Sequence, residues 1–204
     1  MFKVYKYEGK TKEEALNKGL IELNLLESDI VFKEIEKEKK IFQAKKIEVE
    51  IIKKTNIIKE IKDFLKELSE KMNFEFQSEI KENSNVYSVI VVSENNSVLI
   101  GKNGKTINAI ELFLKNHLKK ITGFNLKIFL DISNYRAKKI SNIEIEIKKL
   151  AKEVLDTKVA VQLDSMNSYE RRIVHTIIGE YTQLETESLG VEPARYIVIK
   201  YKED

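Results

Sequence analysis

The 204-residue chain has no cysteine and only two histidines. Without thiols it can form no disulfide framework, no thiol nucleophile and no thiolate metal site. With only two histidines a zinc site is not expected either. No paired carboxylates and no Ser/His/Asp set can be recognised in the sequence. We therefore expect no metal, no cofactor and no catalytic residues.

Long hydrophobic runs and a strong excess of one charge are also missing. No apolar run approaches the roughly 18 residues of a membrane-spanning helix. The start, Met-Phe-Lys-Val-Tyr-Lys, lacks the apolar core of a signal peptide. We expect a soluble, cytoplasmic protein with no transmembrane segment. The net charge is only +3, so binding of a nucleic acid would depend on where the basic side chains lie.

What is present is a regular alternation of helix and strand patterns, which predicts an α+β fold of three small α/β domains in series. The first has a βαββ-like order, with a capping-box signature at Thr11 and Glu14. The second has the order αββααβ. The third begins with a long helix and contains a shorter one opened by Asn167 and Glu170. The predicted boundaries are 1–54, 55–132 and 133–204.

A glycine turn in the second domain is the most informative local pattern. Two of the seven glycines stand three residues apart, between the apolar run Val86–Val92 and a periodic helix. Glycines let backbone N–H groups approach an anionic chain closely, and the helix directs its positive dipole end to the same place. The residues expected to contact nucleic acid here are Ile100, Gly101, Lys102, Asn103, Gly104 and Lys105.

The nearest competing motif is a Walker A phosphate loop, because Gly104, Lys105 and Thr106 match its final residues. A Walker A loop needs a second glycine five positions before Gly104, and that position is Leu99. The shorter turn cannot wrap a triphosphate. The sequence therefore disfavours a nucleotide-hydrolysing enzyme.

A second candidate site lies on the helix that follows Asn167. Arg171 and His175 are four residues apart and hence neighbours on one helix face. Helical spacing places them opposite an apolar face, and we expect both side chains to be exposed. An arginine fork suits phosphate oxygens and an imidazole can stack on a base, so Arg171, Arg172 and His175 are candidate nucleic-acid ligands. The alternative is an Arg/His pair on a solvated face. The apolar face is formed by Tyr169, Ile173, Ile177 and Tyr181.

These two patterns resemble two known modules. The order α-β-β-α-turn-α-β resembles the type II KH fold, whose glycine loop clamps about four backbone nucleotides. The run Asn-x-Tyr-Glu-Arg-Arg-Ile-Val-His, from Asn167 to His175, resembles the helix of the R-3-H domain. Together, and with the strand–helix–strand start, they resemble the bacterial Jag family, also called KhpB or EloR. The resemblance continues through Thr186-x-Ser188-x-Gly190 and Glu192-Pro193-x-Arg195.

The resemblance implies a Jag-N-like domain (1–54), a KH domain (55–132) and an R-3-H domain (133–204). It implies a non-enzymatic protein that binds single-stranded RNA and regulates genes post-transcriptionally, in connection with cell elongation and division. It also implies a KH-mediated homodimer, or a heterodimer with a small KhpA-like KH protein. Leu112 and Phe113, beside the core stripe of their helix, favour such a dimer. The rival interpretation is a dimerising protein-interaction scaffold in which RNA binding is incidental.

Two departures from the family pattern concern the first domain. Family members often have a Lys-Lys-Gly-Phe-Leu-Gly segment, whereas residues 39–44 of this chain read Lys-Lys-Ile-Phe-Gln-Ala. Both glycines are missing, so functions that depend on that tight loop are not expected to transfer. The long linker before the KH domain is also absent.

Overall fold

The computed structural model describes residues 2–36 and 46–202. The altered loop at residues 41–44 and most of the lysine-rich segment around it lie outside the described residues. The chain divides into two compact units, residues 1–133 and residues 134–204. The described residues form three separate three-stranded sheets with helices beside them, and the predicted α+β class is confirmed.

The first unit begins with a small antiparallel sheet and one helix. Its sheet order is β1-β3-β2. Helix α1 begins where predicted, because the Thr11 hydroxyl accepts a hydrogen bond from the Glu14 N–H at 3.1 Å. It ends at Leu23, because Asn24 takes a left-handed conformation with φ 50°. The elements are β1 Tyr5–Gly9, α1 Lys12–Leu23, β2 Ile30–Glu36 and β3 Ile47–Lys53.

The same unit continues into a second sheet of order β4-β5-β6, in which β5 pairs antiparallel with β4 and parallel with β6. Helix α2 follows β3 directly and begins at Lys54. The predicted order αββααβ is present. The elements are α2 Lys54–Met72, β4 Gln77–Asn83, β5 Val86–Val92, α3 Asn96–Ile100, α4 Lys105–Thr122 and β6 Lys127–Ile132.

Lys33 connects the first sheet to the end of α4. Its ammonium group pairs with Glu50 at 2.8 Å and donates to the Gly123 carbonyl at 2.8 Å. Burial tends to raise the pKa of the Glu50 carboxyl, but hydrogen bonds from Lys33 and Lys6 outweigh this effect and hold the pKa below its usual range. The first sheet is thus joined to the end of α4 by the hydrogen bond from Lys33 to the Gly123 carbonyl, as well as by the direct β3–α2 connection.

The second unit packs two helices on a sheet of order β7-β9-β8. Helix α6 has a complete capping box: the Asn167 side chain accepts from the Glu170 N–H at 3.0 Å, and the Glu170 carboxylate accepts from the Asn167 N–H at 3.1 Å. Helix α6 ends at Ile178, three residues before the predicted Tyr181. The elements are α5 Tyr135–Thr157, β7 Val161–Gln162, α6 Ser168–Ile178, β8 Leu184–Leu189 and β9 Tyr196–Tyr201.

None of the helices within residues 2–36 and 46–202 has the length and apolarity needed to span a membrane.

Candidate nucleic-acid interface

The glycine turn joins α3 to α4 and is shaped by its backbone. Gly101 has φ 69° and ψ 176°, Asn103 has φ 55° and Gly104 has φ 82°. A β-carbon on Gly101 would lie 2.1 Å from the Thr106 hydroxyl oxygen. Only glycine fits Gly101 without strain, because its backbone conformation and its surroundings both exclude a side chain.

The side chains of the turn are arranged as an anion-contacting tip requires. Lys102, Asn103 and Lys105 are exposed, Ile100 is half-buried and Gly104 is buried. The 18-residue helix α4 begins at Lys105, so its N-terminal N–H groups and two lysine charges face the same region. The six predicted residues are therefore brought together in one loop. Leu99, which stands where a Walker A loop has glycine, is buried.

The second unit contains an open concavity of about 390 Å³ between α6 and the β8–β9 region. Three of its residues were predicted from the sequence: Arg171, Arg172 and His175. Arginine is rare in this chain, with four residues among 36 basic ones, yet three arginines line this one surface. The lining residues are Ser168, Arg171, Arg172, His175, Thr176, Ser188 and Arg195.

Arg171 does not lie on an exposed face, and this part of the sequence prediction is wrong. The residue is 8% exposed and belongs to the buried side of α6 together with Val174 and Ile178. Its Nη1 donates to the Met166 carbonyl at 2.8 Å and pairs with the Glu192 carboxylate at 2.9 Å. The charge can be buried because both partners, which lie outside the helix, satisfy it.

The buried face of α6 is therefore not the one that was predicted, because it includes Arg171. Tyr169, expected to face the core, is 62% exposed, and Val174 is fully buried. His175 is exposed, as expected. Its Nδ1 lies 2.5 Å from the Thr186 hydroxyl, which fixes the ring at the edge of the concavity.

Two further residues complete the surface from the other side. Arg195 donates from Nε to the Ser188 hydroxyl at 2.9 Å, which orients the remaining guanidinium N–H groups. Strands β8 and β9 pair antiparallel, and this pairing brings the segments that carry Ser188 and Arg195 together. The concavity is thus lined by three guanidinium groups and an imidazole. The Arg171 charge is paired with Glu192, so Arg172 and Arg195 are the groups suited to phosphate oxygens, and the imidazole of His175 suits a stacked base.

The buried carboxylate of Glu170 is fully engaged in holding α6. It caps the Asn167 N–H and pairs with the Lys139 ammonium group at 2.6 Å. Among the described residues, no group of three His, Asp or Glu side chains is placed to hold a metal ion. The basic side chains that line the concavity are donors of a kind that suits an anion.

Two family models match this chain. Residues 58–130 match the family model described as the KH domain of KhpA/KhpB, and residues 142–201 match the R-3-H domain model. The RNA-binding protein KhpB of Bacillus subtilis is 31% identical over 200 residues, which cover 95% of this chain and 96% of that protein. The chain belongs to the KhpB family.

Two other KhpB proteins show the same relationship at different coverage. KhpB of Clostridium symbiosum is 29% identical over 200 residues, covering 96% of this chain and 90% of that protein. KhpB of Lactiplantibacillus plantarum is 30% identical over 102 residues, covering 50% of this chain and 32% of that protein. The resemblance inferred from the sequence motifs to the Jag/KhpB family is confirmed.

Sequence reasoning missed part of the concavity of this KhpB-family chain. Ser188 and Arg195 line it, and Thr186 and Glu192 hold His175 and Arg171. All four were noticed only as residues that carry the family resemblance. In the sequence these residues form a pattern of small polar residues and an arginine close to a turn. That pattern is too common to predict that they lie beside α6. The glycine turn lies in the first unit and the concavity in the second, so the predicted site residues form two clusters.

Proposed function

We propose that this chain is a cytoplasmic, single-stranded RNA-binding protein that regulates genes post-transcriptionally, in connection with cell elongation and division. The observation that carries the proposal is the grouping of Arg171, Arg172 and Arg195 with His175 around one concavity. Guanidinium groups match phosphate oxygens in geometry, whereas ammonium groups act as point charges. A chain that otherwise uses lysine for nearly all its positive charge has placed arginine here.

The glycine turn supplies the second contact. Its backbone N–H groups and Lys102 would hold consecutive phosphates, as in KH domains generally. We assign the turn to a KH domain of residues 55–132 and the concavity to an R-3-H domain of residues 133–204, after a Jag-N-like domain of residues 1–54. Two weak contacts on one RNA strand benefit from a high effective concentration once the first has formed.

We propose no catalytic activity and no cofactor for this protein. The Glu170 carboxylate, in the first turn of α6, is committed to the Asn167 N–H and to Lys139. It therefore cannot act as a general base towards a bound ligand without breaking the helix cap.

A salt titration tests the proposal. Binding of a labelled single-stranded RNA, measured by fluorescence anisotropy, should weaken linearly in log salt. Arg195→Ala should lower the slope by about one charge, because it removes a guanidinium from the concavity. The control is Lys149→Ala, which removes an exposed charge of α5 that does not line the concavity. Absence of saturable RNA binding at any salt concentration would refute the proposal.

A dimerising scaffold is the second candidate, favoured by the surface of α4. Leu112 and Phe113 are each 59% exposed, although Phe113 also packs edge-on against Phe64 with ring centroids 5.2 Å apart. Isolated exposed apolar residues are common, but two adjacent ones on a KH helix favour a homodimer or a heterodimer with a KhpA-like protein. Sedimentation should detect this dimer. A strict monomer at high concentration, with and without such a partner, would exclude it.

The link to cell elongation is tested in cells. A strain that carries Lys102→Asp with Asn103→Asp should show the same change in cell length as a strain without the protein. Normal cell length in the variant strain, with altered length in the strain without the protein, would separate RNA binding from this process. Normal cell length in both strains would refute the link to cell elongation.

A further inference from the structure

A second open cavity, of about 700 Å³, lies in the first unit where β4 begins and β5 ends. The last turn of α2, the segment between α2 and β4, and the segment between β5 and α3 form its walls. The glycine turn follows the far end of α3, and none of its residues lines this cavity. We call the cavity the acidic pocket; its lining residues are Ser69, Phe74, Glu75, Phe76, Gln77, Val92, Ser93, Glu94 and Asn95.

The apolar part of the acidic pocket is accessible from solvent. Phe74 and Phe76 are half-buried, and Val92, the last residue of β5, is 51% exposed. The strand register places Val92 opposite Gln77, the residue that follows Phe76. Two aromatic rings and a valine thus offer apolar surface to a partner that enters the pocket.

Hydrogen bonds within the pocket hold its walls together. The Ser69 hydroxyl donates to the Phe74 carbonyl at 2.8 Å, and the Ser93 hydroxyl donates to the Glu75 carbonyl at 3.1 Å. The first bond fixes the segment between α2 and β4 to the helix, and the second fixes it to the segment after β5. The pocket is therefore formed before a partner binds.

The charge of the pocket is negative and uncompensated. Glu75 and Glu94 are exposed, and neither carboxylate has an ion pair or a hydrogen bond within residues 2–36 and 46–202. Other carboxylates of the same region do pair with lysines: Glu67 with Lys71, and Glu79 with Lys81. No lysine or arginine lines the pocket, although the chain has 36 of them. The C-terminal end of the 19-residue helix α2 adds partial negative charge.

We infer that the acidic pocket docks a partner protein by accepting a lysine or arginine side chain from an extended segment. A cation is attracted both to an aromatic face and to a carboxylate, and the pocket supplies both. Strand β4 pairs only with β5 among the described strands. Its outer edge offers backbone N–H and C=O groups beside the pocket, and these favour a polypeptide over a small cation.

The inference goes beyond the proposed RNA binding and does not depend on it. Two unpaired carboxylates repel a phosphate chain, so the acidic pocket is unsuited to RNA. Helix α3, five residues or about 7.5 Å long, lies between the pocket and the glycine turn. One end of this helix thus carries positive charge for an anion and the other carries negative charge for a cation, so a basic partner and an RNA strand can be bound together.

The test measures binding of two labelled peptides to the full chain by fluorescence anisotropy, one of four Arg-Val repeats and one of four Gln-Val repeats. The arginine peptide should bind about fivefold more tightly or better, and more weakly as salt is raised. The double variant E75Q with E94Q should lose about fivefold in affinity for the arginine peptide. The matched control is E144Q with E146Q, which removes two exposed carboxylates of α5 outside the pocket and should stay within about twofold of wild type.

Amide NMR spectra of the full chain locate the bound peptide. The arginine peptide should shift the signals of residues 74–77 and 92–95. Shifts only elsewhere would overturn the inference, as would equal binding of the two peptides or unchanged affinity of the folded double variant. Spermidine binding to these residues as tightly as the arginine peptide would overturn it in favour of a small cation. Single-stranded RNA shifting the same signals would overturn it in favour of an RNA site. If the double variant does not fold, the two peptides and the spectra decide. Loss of RNA binding by the Lys102/Asn103 aspartate variant with peptide binding retained would show that the two sites are independent, as the inference requires.

Discussion

The glycine turn and the arginine concavity offer positive charge to an anion in opposite ways. In the turn, the positive φ angles of Gly101 and Gly104 fix the backbone, while the Lys102 side chain is exposed. In the concavity, helix α6 and the turn before β9 carry the functional side chains, and strand β8 holds two of them through hydrogen bonds. Arg195 is held by Ser188, and His175 by Thr186.

The difference determines which changes each site tolerates. A site built from backbone N–H groups should accept new side chains of suitable charge and reject a new β-carbon at a glycine. A site built from oriented guanidinium groups should tolerate substitutions that keep its supporting hydrogen bonds. It should lose function when one of those hydrogen bonds is removed. The two sites can therefore be separated by comparing the effects of substitutions on RNA affinity and on stability.

Reversing the charge of the turn should have the largest effect on affinity. Replacing Lys102 and Asn103 with aspartate puts like charge against phosphate, which costs several kcal/mol, or more than about a hundredfold in Kd. Both side chains are exposed, so the melting temperature should hardly change. Anisotropy and thermal melting measure the two effects. Unchanged RNA binding by the folded variant would show that the turn is not an RNA site.

Arg171→Ala should lower stability, unlike the charge reversal of the turn, and this difference distinguishes the two sites. The substitution leaves the Met166 carbonyl and the Glu192 carboxylate without their shared donor, and we expect a loss of about 2 kcal/mol in the free energy of unfolding. RNA affinity and the salt slope should fall too. Arg172→Ala is the control, since Arg172 is exposed on the same helix. Equal stability of the two variants would mean that Arg171 is not held as the structure indicates.

Locally determined features could be predicted from the sequence. The caps at Thr11 and Asn167 depend on residues three positions apart, and both form as expected. Strand β5 has the predicted bounds, because an apolar run between turn signals needs no other information. The glycine turn belongs to the same class, since its conformation follows from which residues lack a β-carbon.

The burial of Arg171 could not be predicted, because its cause is not local. Hydrophobic spacing assigned Tyr169 to the core, whereas the buried stripe runs through Val174 and Ile178 and includes the charged Arg171. A buried guanidinium is acceptable only when its partners are present. Those partners are Met166 and Glu192. The contribution of Arg195 depended in the same way on the pairing of β8 with β9.

Gly101→Ala tests whether the turn depends on its backbone. Alanine in this glycine-only conformation, with its β-carbon against Thr106, should cost about 1–2 kcal/mol of stability. RNA affinity should fall although no charge is lost. The control is Gly179→Ala beyond the end of α6, where φ is −60° and suits alanine, and where the new β-carbon would lie 3.2 Å from the nearest atom, the His175 carbonyl oxygen, instead of 2.1 Å. A stable Gly101→Ala variant with full affinity would show that the turn is not set by its glycines.

His175→Ala should have the smallest effect and defines what the concavity does beyond holding phosphate. If the ring stacks on a base, its loss should weaken binding of single-stranded RNA by about 1 kcal/mol. The salt slope should stay unchanged, because stacking releases no counterion. Stability should also be unchanged, since His175 is exposed. Thr176→Ala is the control, because its hydroxyl is already engaged with the Arg172 carbonyl at 3.0 Å. A reduced salt slope would mean that His175 contacts a phosphate instead of a base. A lowered melting temperature with full RNA affinity would mean that His175 has only a structural role, through its hydrogen bond with Thr186.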